Sequence, residues 1–178
     1  MNQTPDAGHV RRRLRDATME SHGRVDSLFA EFTLGSADGY RAFLTAHARA
    51  VGALEPVARP MLPRLALLAR DFAEMDAALP APLPMSLPDG DAQRWGMLYA
   101  LEGSRLGGAV LNRAVGPGLP NAYLSATHGK GEWAAFQQTL DDEAAKGDES
   151  WLAGAVEGAL AAFAAFECAA RDERVSHG

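Results

Sequence analysis

The chain of 178 residues has one cysteine, Cys168. That excludes an internal disulfide and any metal site built from several cysteines, and Cys168 itself reads as a small hydrophobe on the last helix. Long hydrophobic runs are also missing. The longest, near Ala159–Ala165, falls far short of the ~20 apolar residues that span a bilayer. The opening Met1-Asn2-Gln3-Thr4-Pro5-Asp6 has no apolar signal core, so a cytoplasmic location without a membrane partner is expected. An excess of positive charge is absent as well: 17 Lys and Arg against 23 Asp and Glu give a net charge of −6. That balance argues against nucleic acid as a partner. There is no internal repeat, no convincing strand pattern, and no nucleotide or flavin fingerprint.

What remains suits a helical protein. Apolar residues make up 47% and charged residues 22%, enough to bury a substantial core. The periodicity predicts six helices. The first covers about Gly8–Ala30, with Val10, Leu14, Ala17, Val25 and Leu28 at three- and four-residue spacings. The second starts at Ser36-Ala37-Asp38 and is interrupted or ended by Pro56, Pro60 and Pro63. The third covers about Leu65–Leu79, and a stiff connector with Pro80, Pro82, Pro84 and Pro88 follows. The fourth runs from near Asp91 to Val115 and is stopped by Gly116-Pro117-Gly118. The fifth and sixth span about Glu132–Lys146 and Ser150–Arg174. One domain over 1–178 is expected, with flexible ends at 1–8 and 175–178.

Two features cost something and so ask for a reason. The first is Gly103-Ser104-Arg105-Leu106-Gly107-Gly108, inside the fourth helix. Each interior glycine costs roughly 1 kcal/mol relative to alanine, and this sequence uses alanine freely elsewhere. Gly103 and Gly107 share a face with Gly108 beside them. That face either lets a flat, bulky ligand approach bare backbone or lets another helix pack closely. The second is His22, with Asp26 four residues later. A carboxylate there can take one ring N–H and leave the other nitrogen free for a metal, as haem iron requires. A lone helical histidine is also an ordinary edge or core residue, and His47, likewise on an apolar helix, is the rival ligand. The basic end of the first helix (Arg11, Arg12, Arg13, Arg15, Arg24) is either a carboxylate-binding patch or a solvated face.

These stretches together resemble the bacterial haem oxygenases. The resemblance is carried, in order, by Leu14-Arg15-Asp16-Ala17-Thr18 with His22, by Tyr40-Arg41-Ala42-Phe43-Leu44 leading to Ala46-His47, and by Trp133-Ala134-Ala135-Phe136. Its most specific part is Leu98-Tyr99-Ala100-Leu101-Glu102-Gly103-Ser104-Arg105-Leu106-Gly107-Gly108. It implies an all-α fold in which haem b, both substrate and cofactor, lies between a proximal helix and a kinked distal one. His22 then matches the iron ligand, Asp26 its hydrogen-bond partner and Arg15 a propionate contact. Gly103, Gly107 and Gly108 match the distal wall, which would hold O2 by backbone and ordered water with no side-chain acid or base above the iron. The products would be biliverdin, CO and iron. Electrons would come from a ferredoxin or an NAD(P)H-dependent reductase, and a phytochrome could accept the biliverdin. Ser104 stands where some relatives carry an aspartate. No basic residue precedes Lys146 on the fifth helix, so Arg105 and Lys130 are the substitutes for a second propionate contact. A haem carrier or sensor that does no chemistry, and a relative that binds no haem, are the other readings.

Overall fold

The computed structural model describes residues 8–177, with side chains to residue 174. Residues 1–7 and 178, where most of the expected flexible ends fall, lie outside the described residues. The described part is helical: α1 (His9–Phe29), α2 (Ala37–Ala58), α3 (Leu65–Glu74), α4 (Asp91–Asn112), α5 (Ala122–Ser125), α6 (Glu132–Ala144) and α7 (Glu149–His177). The last helix therefore continues past residue 174, where a tail was expected.

The middle of the structure is α7, which packs against α4, α1 and α2. Its small residues explain how. Ala155, Ala159, Ala162, Ala165 and Ala169 are fully buried, and glycines let the α4 and α7 backbones touch. A Cβ on Gly96 would stand 1.8 Å from the Ala155 carbonyl oxygen, and one on Gly158 would stand 1.9 Å from that of Gln93. By length and composition α7 could cross a membrane, but 61% of its apolar window is buried within the fold, which is what a core helix requires. The larger hydrophobic core joins α2, α4 and α7 through Phe43, Leu44, Leu54, Met97 and Phe166. A smaller one seals α1, α6 and α7 through Leu14, Leu140 and Leu152.

Local chemistry set two of the helix ends and added one helix. Ser36 caps α2 by accepting the Gly39 N–H at 3.2 Å, but Pro56 lies inside that helix, which ends only at Ala58 where Arg59 turns left-handed. The third helix stops at Glu74 rather than near Leu79, because Asp76 takes a left-handed conformation (φ 52°). The short α5 was not expected. It exists because the buried Asp71 carboxylate accepts the N–H groups of Ala122 and Tyr123 at 2.8 and 2.9 Å, filling the role of an N-terminal cap. Glu55 does the same for the start of α3, accepting from Arg64 and Leu65.

Candidate active site

A cavity of about 700 Å³ opens between α1 and α4, with His47 of α2, Trp133 of α6 and Phe163 and Phe166 of α7 completing its walls. Its size and mostly apolar walls suit a large organic ligand. The spacing of α1 brings Arg15, Thr18, His22 and Asp26 to one side of it. His22 Nδ1 lies 3.0 Å from Asp26 Oδ2. The carboxylate takes that N–H, so the lone pair of Nε2 is left available. The His22 ring meets Phe163 edge-on at 5.7 Å. Arg15 is mostly exposed at the rim, paired only loosely with Asp16 at 3.5 Å.

On the α4 side the expected glycines divide. A Cβ on Gly107 would meet nothing within 4 Å, and one on Gly103 would reach only Trp133, at 3.8 Å. Both face the cavity. Gly108 does not: its Cβ would press on the Leu124 carbonyl oxygen at 3.0 Å, so this glycine serves the packing of α5 against α4. Arg105 also points elsewhere. It is buried, donates to the Ala126 carbonyl at 3.2 Å and pairs with Glu102, so it is not at the cavity wall. Lys130 is exposed in the loop before α6 and does not line the cavity either.

α4 runs unbroken through the glycines. What distinguishes this stretch is the Leu101 carbonyl, which accepts from Ser104 Oγ at 2.7 Å and from Arg64 Nη2 at 2.9 Å. Arg64 also donates to Ser104 Oγ at 2.8 Å. The Ser104 hydrogen is thus directed at its own helix, and toward the cavity the hydroxyl has only a lone pair to offer.

Sequence reasoning missed Arg64, buried just after the prolines at 60 and 63, and with it Tyr123 and Asp71. The signal was faint: a charged residue between Pro63 and Leu65 in an otherwise apolar stretch. It also assigned the distal wall no side-chain acid or base. His47, the rival ligand on α2, lines the same cavity. His47 Nδ1 lies 2.8 Å from Tyr123 Oη. Burial, helped by the charge of Arg64, lowers the His47 pKa to about 3, so the ring is neutral at ordinary pH.

No protein-family model matches the chain. It is 39% identical to a protein named haem oxygenase from Xanthomonas campestris pv. campestris, in a match covering 56% of this chain and 61% of the relative. The match thus spans less than two thirds of that relative's length. The structure superposes on the NO- and CO-bound haem oxygenase of Neisseria meningitidis with a TM-score of 0.79 and 24% identity, covering 92% of this chain and 91% of that one. The fold carries over nearly the whole length, and the sequence similarity over part of it. The chain thus has the fold of the Neisseria haem oxygenase and, over part of its length, is similar in sequence to a bacterial protein named haem oxygenase.

Proposed function

We propose that the chain is a haem oxygenase, opening its substrate haem to biliverdin, CO and iron with O2, and that it works as a single cytoplasmic domain. The observation that supports this most directly is the shared cavity: an imidazole with its Nδ1 engaged by a carboxylate lies on α1, and backbone without Cβ atoms lies on α4. The residues fit a haem. His22 Nε2 offers the lone pair an iron requires, Gly103 and Gly107 leave the wall flat enough for a macrocycle, and Phe163 and Phe166 supply apolar contact.

Haem supplies the iron that binds O2 and the ring carbon that is oxidised. The protein's part is orientation and exclusion. Asp26 holds the His22 tautomer. Arg15, at the rim, is placed to meet a propionate. Gly103 and Gly107 admit the ring close to the α4 backbone, and Ser104, locked by Arg64, can order water only by accepting from it. A ferredoxin or an NAD(P)H-dependent reductase supplies the electrons, and a phytochrome is the biliverdin acceptor this reading allows.

Hemin added to the purified protein is expected to give a stoichiometric Soret band. Ascorbate in air should then replace that band with biliverdin absorption. A Soret band that survives reductant and air without biliverdin would leave a haem carrier. His22→Ala should lose the imidazole-ligated spectrum with its helical circular dichroism intact. If His47→Ala does so instead, the ligand assignment is wrong.

A further inference from the structure

We infer that Tyr123 fixes His47 as the Nε2–H tautomer, making His47 a hydrogen-bond donor into the cavity and ruling it out as a metal ligand. Tyr123 Oη has one hydrogen-bond partner among the described residues, His47 Nδ1, at 2.8 Å. If Nδ1 carried the proton, the phenol hydrogen of a buried tyrosine would be left without an acceptor. With Nδ1 bare, the phenol donates and both groups are satisfied. The Arg64 guanidinium, 5.1 Å from the centre of the Tyr123 ring, favours the same arrangement. A nearby cation makes a phenol a better donor and opposes a second proton on the imidazole.

The pair is held rigidly. Asp71 anchors the Tyr123 backbone N–H at 2.9 Å. The His47 ring is packed by Phe43 at 4.3 Å and Phe29 at 4.5 Å between centroids. With Nδ1 engaged, Nε2 is the nitrogen left to the cavity that His47 lines. The two histidines at this cavity therefore have opposite polarity. On His22 a carboxylate takes the Nδ1 hydrogen and exposes a lone pair; on His47 a phenol supplies a hydrogen to Nδ1 and exposes an N–H. The partner that His47 selects is a hydrogen-bond acceptor. That this acceptor is the small molecule bound at haem iron rests on the function proposed above. Tyr123 is a positioning residue in this arrangement.

Long-range 1H–15N correlation spectra of the imidazoles in the haem-free protein test the inference. At pH 7 His47 is expected to show a protonated Nε2 and a bare Nδ1. In Tyr123→Phe, which keeps the ring and removes the donor, the signals should move to a mixture with at least severalfold more Nδ1–H. A wild-type spectrum showing Nδ1–H overturns the inference, as does a Tyr123→Phe spectrum like the wild type. The wild-type measurement stands even if the variant does not fold. The haem-oxygenase reading fails on a different observation, the hemin titration, which leaves these spectra unchanged.

Discussion

The two halves of α4 use glycine for opposite ends. At Gly96 the missing side chain is filled by another helix: a Cβ would lie 1.8 Å from the Ala155 carbonyl oxygen and 2.7 Å from the Ala159 nitrogen. At Gly107, eleven residues on, nothing lies within 4 Å of the same added atom. The first glycine is consumed by the fold; the second leaves a space in it. Glycine spacing alone cannot tell these apart, because each pattern is a small-residue face on a helix. The difference is decided by what the rest of the chain brings to that face: the alanine-rich backbone of α7 in one case, and a cavity shared with α1 in the other.

The comparison breaks most visibly at its closed end. Gly96→Ala must push apart two backbones that cannot yield by changing a rotamer, and a loss of about 3 kcal/mol or more is expected. Urea denaturation of the haem-free protein measures it. A loss below about 1 kcal/mol would mean that the contact between α4 and α7 is looser than described.

The open half keeps a histidine beside its cavity, and its response to pH should differ from that of the packed half. The His47 pKa is about 3 in the folded protein against an ordinary 6.5. Between those values the unfolded chain binds a proton that the folded chain does not. Stability therefore falls as pH drops from about 6.5 toward 3, by at most about 1.4 kcal/mol per pH unit from this group. Above pH 6.5 the effect vanishes. Urea midpoints at pH 7 and 4.5 should converge more in His47→Gln than in the wild type; equal slopes would show that His47 is protonated inside the fold.

Much of the fold could be read from the residues because local patterns and final packing agree. The glycine stop at 116–118, the serine cap at 36 and the apolar spacing of α1 each act within one helix or its end. Where the reading slipped, a distant partner decided the outcome. α5 depends on Asp71, 51 residues away from Ala122, and no local pattern announces a carboxylate that will arrive there. The site divides in the same way. His22 and Asp26 are one helical turn apart, and their pairing follows from spacing. The contacts of Arg64 with Ser104 and of His47 with Tyr123 join segments 40 and 76 residues apart, so they became visible only in three dimensions. Gly108 and Arg105 were drawn into the expected site by adjacency in sequence, although helical rotation turns both away from the cavity.

The smallest change in stability is expected at Gly107, and it tests what the space is for. An added methyl there meets no atom, and alanine is the better helix former, so Gly107→Ala should be neutral or stabilise the haem-free protein by up to about 1 kcal/mol. The same methyl would stand between α4 and a flat ligand, and hemin affinity should fall about tenfold, a cost of about 1.4 kcal/mol. Gly108→Ala is the control. Its methyl presses on Leu124 rather than the cavity, so it should lower the melting temperature slightly and leave hemin affinity unchanged. Glycine at 107 lowers the helix propensity of α4, and a ligand that needs the open space beside it accounts for that cost. A Gly107→Ala protein that is both more stable and equally avid for hemin would remove the explanation and return this glycine to chance.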